Sequence, residues 1–102
     1  MAKIKTIYKV RSQVFQYPGM GGWHFIGLPK KESQEIKVAY AAKTRGWGSL
    51  PVLVTLGKTR WKTSIFPDKK SGTYLLPLKA DVRKKEGIMH ADTVTFVINI
   101  KA

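Results

Sequence analysis

The chain has 102 residues, with 19 Lys and Arg against 6 Asp and Glu, which gives a formal net charge of +13 at pH 7. That length and a hydrophobic content of 43% predict a single folded domain over residues 1–102 and argue against a disordered chain. The lack of cysteine excludes disulfides and thiolate chemistry, and the short apolar runs are far below the length of a membrane-spanning helix.

The N-terminal residues 1–5 alternate charged and apolar side chains instead of forming the apolar core of a secretory signal. We therefore expect a cytoplasmic protein with no membrane association. A charge excess of this size favours binding to polyanions, acidic proteins or anionic surfaces.

The first part of the chain predicts two strands followed by a helix. Apolar residues recur at alternate positions between Ile4 and Val14, which is the pattern of a half-buried strand. A proline and three glycines in 17–22 predict a chain reversal, and 23–28 predicts the returning strand. Residues 30–43 contain no Gly or Pro and have acids near their start, so they predict a helix.

The next segment predicts a hairpin. Residues 50–56 alternate as a buried strand, Gly57-Lys58 is a two-residue turn signal, and 59–66 predicts the partner strand. Within 59–66, alternation places Trp61, Thr63 and Ile65 on the core side and Arg60, Lys62 and Ser64 on the opposite side.

The remainder predicts a turn, a strand, a helix and a last strand. Residues 67–72 carry the turn residues Pro, Asp and Gly, with Asp68 closing the turn, and 73–76 forms a strand that Pro77 ends. Residues 79–86 predict a short basic helix, and Gly87 suits the left-handed position after it. Residues 93–100 alternate as the last strand.

The predicted fold is mostly β with two short helices, in the order strand, strand, helix, strand, strand, strand, helix, strand. A weak internal repeat relates the segment 28–31, Leu-Pro-Lys-Lys, to the segment 76–79, Leu-Pro-Leu-Lys. Each segment leads through a predicted helix to a predicted strand. Two such halves related by a pseudo-twofold axis would close into a small β-barrel capped by the helices.

Four stretches of the sequence carry a family resemblance: Tyr17-Pro18-Gly19 through Gly22-Trp23, Arg45-Gly46-Trp47-Gly48, Trp61 to Asp68, and Tyr74 to Lys79 through Val82-Arg83. They resemble a bacterial and archaeal domain family of unknown function, which also occurs as the domain preceding the YdeI/OmpD-associated domain. The resemblance implies a double-split β-barrel, a fold shared with transition-state regulators and antitoxins of the AbrB and MazE kind. It implies no established activity.

Residues 76–88 followed by 91–94 look like the half-barrel motif of those DNA-binding regulators. The motif usually carries Gly-Asp where this chain has Ala91-Asp92. Because Ala resists the positive φ angles that Gly adopts freely, we expect different backbone angles in this turn.

The sequence offers no assembled set of catalytic or metal-binding residues, so we expect a non-enzymatic protein without metal or cofactor. Neither His24 nor His90 has a second ligand at metal-site spacing. A hydrolytic arrangement of Ser64, Asp68 and His24 lacks the strand-turn-helix context of a nucleophile elbow.

The leading functional hypothesis is that a basic face binds DNA or RNA. Basic residues are concentrated between Lys58 and Lys85, and we predict phosphate contacts from Arg60, Lys62, Arg83 and Lys84. Tryptophans 23, 47 and 61 are candidates for base stacking, although Trp61 shares a face with Ile65 and is expected in the core.

The alternative hypothesis is a pocket for a small anionic ligand, or a site for an acidic protein partner. Its predicted residues form a mixed aromatic and cationic set around a barrel mouth, namely Arg45, Trp47, Trp61, Lys62 and Lys79. The sequence is compatible with a monomer and with a homodimer.

Overall fold

The structure is a computed structural model, and it describes residues 5–16, 23–44 and 48–102. Six strands and two helices follow one another in the predicted order. They are β1 (Ile7–Gln16), β2 (His24–Gly27), α1 (Lys30–Ala39), β3 (Leu50–Leu56), β4 (Thr59–Asp68), β5 (Thr73–Leu78), α2 (Ala80–Glu86) and β6 (Thr93–Ile100), with a 3-10 turn at Ala41–Lys43 after α1.

The six strands form a closed antiparallel barrel in the order β1-β2-β5-β4-β3-β6. The two longest strands, β1 and β4, each change partner along their length. β1 pairs with β6 over residues 7–13 and with β2 over 14–16. β4 pairs with β3 over 59–65 and with β5 over 66–68. The barrel is therefore split at two places, where β1 leaves β6 and where β4 leaves β3.

The two halves of the chain are related by a pseudo-twofold arrangement. Exchanging β1 with β4, β2 with β5 and β3 with β6 returns the same strand order. The strand registers agree with this exchange when Val14 is matched to Ile65 and Ile26 to Leu76, both pairs fully buried. The helices begin at Lys30 and Ala80, so Leu28 corresponds to Leu78 in the structure. The internal repeat in the sequence had matched Leu28 with Leu76, two residues earlier.

The barrel interior is filled by the inward residues of every strand, with Ile36 of α1 and Val82 of α2 added at the ends. Three tyrosines are part of this core, and we refer to Tyr8, Tyr40 and Tyr74 as the buried tyrosines. Burial raises the pKa of each phenol above 10.0, with nearby Tyr40 and Glu35 adding to the effect at Tyr8. The folded protein therefore favours the neutral, protonated form of these phenols.

Ser33 is a buried polar residue, at 2% exposure. Its hydroxyl accepts a hydrogen bond from the Tyr74 backbone N–H (3.1 Å) and donates one to the Leu28 carbonyl (3.4 Å). These bonds fasten α1 onto β5 and satisfy a backbone N–H inside the barrel, where an unpaired one is costly.

The structure corrects two predicted strand ends, both at prolines. β4 continues through Pro67 to Asp68, and β5 continues through Pro77 to Leu78. The Leu28 N–H donates to the Tyr74 carbonyl (2.8 Å), so the backbone groups of Tyr74 and of every second residue after it in β5 face β2. Pro77 is three residues after Tyr74, and its nitrogen therefore faces the opposite side. β4 has already left that side, so the missing N–H of Pro77 costs no ladder hydrogen bond.

Pro67 is accommodated for the same reason. It lies opposite Tyr74, whose backbone groups face β2, so the Pro67 nitrogen points away from β5. The pairing of β4 with β3 ends at Ile65 and Leu50, and this nitrogen therefore meets no strand either. Proline is tolerated in both strands because the barrel is split beside it.

Other predicted bounds need smaller corrections. β3 and β6 have the predicted limits, whereas the predicted helix 30–43 ends at Ala39 and continues as the 3-10 turn, and the predicted helix 79–86 starts at Ala80. The predicted strand 23–28 spans only His24–Gly27, and the first strand runs from Ile7 to Gln16. Ile4 and the predicted reversal at 17–22 lie outside the described residues.

Several turn residues adopt positive φ angles. Gly57 and Gly87 take positive φ angles of 59° and 64°, as their predicted turn and helix-end roles require. The expectation for Ala91 was wrong, because this residue adopts a φ of 74° despite its Cβ. Its N–H donates to the Val14 carbonyl (2.9 Å), and its carbonyl accepts from the Gln13 side chain (3.0 Å), which holds the strained conformation in place.

Among the described residues, no helix has the length and apolar character needed to cross a membrane.

Candidate nucleic-acid interface

The two cations predicted on the outer side of the fourth strand are found there. Arg60 and Lys62 are exposed, while Trp61 and Ile65 between and beyond them face the interior. Alternation along β4 therefore separates the charged face from the core, as the sequence pattern indicated.

Two further cations share this surface, and sequence reasoning did not include them in the site. Lys9 lies opposite Val97, which lies opposite Thr55, which in turn lies opposite Arg60. This row crosses β1, β6, β3 and β4 and spans about 14 Å of sheet surface. Arg11 follows Lys9 on the same exposed side of β1. We call Lys9, Arg11, Arg60 and Lys62 together the basic face.

The surface between these cations is uncharged. A second row runs from Asn99 through Leu53 to Lys62, and the remaining outward positions of β6 are occupied by Thr93 and Thr95. All six acidic residues of the chain fall within its described part, and none is on the outward side of these four strands where they pair. The basic face thus presents positive charge and hydrogen-bonding groups with no competing carboxylate.

Arg83 and Lys84, the other two predicted phosphate contacts, are on a separate surface. Both belong to α2, where Lys84 is exposed and Arg83 is partly buried. The connection from α2 to β4 is made by Glu86, whose carboxylate accepts a hydrogen bond from the Thr59 hydroxyl (2.6 Å). The four predicted phosphate contacts are therefore divided between β4 and α2, with the acidic Glu86 between the two elements.

Arg83 lines a groove of about 510 Å³ beside α2, which we call the aromatic groove. Two of its walls are aromatic side chains that are unusually open to solvent, Trp23 at 56% and Phe66 at 41% exposure. The indole of Trp23 stacks on Phe25 with ring centroids 6.0 Å apart. Lys79 also lines this groove, so the structure places one cation from each functional hypothesis in one site.

Two predicted members of the alternative pocket are not brought together. Trp61 and Lys62 are neighbours on β4 and point to opposite sides of the sheet. Trp61 packs against the core as expected, and among the described residues its buried Nε1 has no hydrogen-bond partner. Arg45 and Trp47 lie outside the described residues.

Asp68, considered for catalysis, and His90, considered as a metal ligand, each have a structural contact. The Asp68 carboxylate accepts hydrogen bonds from the backbone N–H (3.3 Å) and hydroxyl (2.8 Å) of Ser71, which confirms its turn-closing role. The His90 Nδ1 accepts one from the Gln16 N–H (2.9 Å). Within the described ranges, no three His, Cys, Asp or Glu residues are grouped as metal ligands would be.

The sequence matches one known family model over most of its length. Residues 11–98 match the model described as Domain of unknown function (DUF1905). The matched segment contains all of β2–β5 and both helices, together with most of β1 and β6. No curated protein matches the chain significantly.

Proposed function

The chain belongs to the DUF1905 family, whose function is unknown, and we propose that it is a non-enzymatic module that binds nucleic acid through the basic face. We place this activity in the cytoplasm. The single observation that supports the proposal is the outward side of β1, β6, β3 and β4 where these strands pair. It carries cations on β1 and β4, an uncharged strip on β6 and β3, and no acidic residue.

The charge arrangement suits a phosphate backbone. Lys9 and Arg60 lie at opposite ends of a row about 14 Å long, so they are placed to contact different phosphates of one strand. The threonines and Asn99 between them supply neutral hydrogen-bond donors, which also contact phosphate and sugar oxygens in complexes. The net charge of +13 adds long-range attraction.

Fluorescence anisotropy with labelled oligonucleotides at low salt tests the proposal. The native chain is expected to bind DNA or RNA, and binding is expected to weaken in the double variants Arg60→Ala/Lys62→Ala and Lys9→Ala/Arg11→Ala. The matched control is Lys30→Ala/Lys31→Ala, which removes the same charge from exposed positions at the start of α1.

Two results would overturn the proposal. One is the lack of binding to single-stranded and duplex DNA and RNA at low salt. The other is tight binding to a poly-glutamate peptide, but not to nucleic acid, with the same dependence on Arg60 and Lys62, because that result assigns the basic face to an acidic protein partner.

A further inference from the structure

The aromatic groove is a consequence of the split in the barrel. β4 and β5 pair only at residues 66–68 with 73–75, although both strands continue beyond that segment. Thr63 of β4 and Pro77 of β5 belong to the unpaired parts of these strands, and both line the groove. Most of the residues that line this opening belong to strands or to α2, while Trp23 and Lys79 lie directly before β2 and α2.

The equivalent position in the first half of the chain is closed. The pseudo-twofold relation matches Thr63 with Ser12 and Pro77 with Gly27, and there the Ser12 hydroxyl donates to the Gly27 carbonyl at 2.5 Å. A hydrogen bond thus bridges the first gap. In the second half, the larger Thr63 and Pro77 line an open cleft instead.

The helices differ between the halves in the same sense. Arg83 corresponds to Ser33, and each donates a side-chain hydrogen bond to the carbonyl of the matching leucine, Leu78 or Leu28, at 3.4 Å. Ser33 is buried and fastens its helix to the barrel, whereas Arg83 is partly exposed in the groove wall. The bond from its Nε leaves the terminal guanidinium nitrogens for another acceptor.

The groove combines two kinds of recognition group. The Trp23 indole stacks against Phe25 with an interplanar angle of 23°, and its 56% exposure leaves the ring accessible to a planar ligand. Lys79 and Arg83 supply positive charge, and no acidic side chain is among the described residues that line the groove. An aromatic platform beside cations is the arrangement with which proteins bind unpaired bases and their phosphates.

β4 connects this groove to the basic face. Lys62 on the basic face and Phe66 in the groove are four residues apart on one strand, a distance of about 13 Å. We infer that the aromatic groove receives one unpaired nucleotide of a single strand bound along the basic face, with its base on Trp23 and Phe66 and its phosphate at Lys79 and Arg83. This inference rests on the proposed function.

The test compares a thymidylate octanucleotide with an abasic octanucleotide of equal phosphate number, by fluorescence anisotropy at low salt. The native chain is expected to bind the thymidylate strand about fivefold or more tightly, since stacking of one base has at least that effect. In Trp23→Ala/Phe66→Ala this ratio is expected to fall toward one while abasic-strand binding is retained. A far-UV circular dichroism spectrum and a thermal transition like those of the native chain show that the variant is folded.

Two variants separate this inference from the proposed function. Arg60→Ala/Lys62→Ala is expected to weaken binding of both strands and to keep their ratio. Met89→Ala removes a side chain that is 71% exposed and lies outside the groove, and it is expected to change neither value. A lack of binding to either strand by the native chain contradicts the proposed function itself.

Two outcomes overturn only the groove assignment. One is a thymidylate-to-abasic ratio that is unchanged in Trp23→Ala/Phe66→Ala. The other is binding of free thymidine monophosphate as tightly as the octanucleotide, with the same loss in that variant, because the site would then serve a free nucleotide and not a strand.

Discussion

The salt dependence of oligonucleotide binding gives a quantitative test of the basic face. Each phosphate neutralised on a single strand contributes about −0.7 to the slope of log K against log salt, so four cations contribute about −2.8. Between about 50 mM and about 200 mM salt, this slope lowers the affinity about 50-fold. Removing Arg60 and Lys62 halves the slope that the basic face contributes. The decrease in affinity due to this face over the same salt range then becomes about sevenfold.

The assay is an anisotropy titration of one single-stranded oligonucleotide at several salt concentrations. The slope for Arg60→Ala/Lys62→Ala is expected to be less steep than that of the native chain by about 1.4, whatever other cations contribute. Lys30→Ala/Lys31→Ala has the same net charge and is expected to keep the native slope. Equal slopes for the native chain and Arg60→Ala/Lys62→Ala, or an equal decrease in the control, would refute the assignment of phosphate contacts to β4.

Three further predictions concern stability. Ser33→Ala leaves the buried Tyr74 N–H unpaired and is expected to lower the free energy of unfolding by about 1–3 kcal/mol in urea titrations, whereas an unchanged midpoint would refute this role. Ala91→Gly relieves a positive φ and is expected to raise stability by about 0.5–1 kcal/mol, so a lower melting temperature would count against strain there. Burial raises the pKa of the buried tyrosines, so their phenols ionise at lower pH in the unfolded chain than in the folded one, and the free energy of unfolding is expected to fall above pH 10. Titration followed by absorbance would contradict this if the native phenols ionised at the same pH as those of the denatured chain.

Strands with simple alternation were predictable from the sequence. The limits of β3 and β6 follow from their apolar residues at every second position, and Gly57 marks the hairpin between β3 and β4. These signals are local, since each depends on neighbours within one strand or turn. The bounds of β4 and β5 failed because Pro67 and Pro77 are local stop signals, whereas their tolerance depends on where a partner strand ends.

The candidate site was only partly predictable for the same reason. Arg60 and Lys62 were assigned to one face from alternation within β4 alone. Joining them to Lys9 requires the pairings of β1 with β6 and β6 with β3, which connect distant parts of the chain. The groove that unites Trp23 with Phe66 likewise exists only because β4 separates from β5, and no local pattern encodes that separation.

Binding of a single strand by the basic face and the aromatic groove can be mapped from amide chemical shifts of the isotopically labelled chain, with a single-stranded oligonucleotide added at low salt. We expect the largest changes at the outward residues of β1, β6, β3 and β4 and around Trp23 and Arg83, with α1 little affected. Changes concentrated on α1, with Lys9 and Arg60 unperturbed at saturation, would contradict it.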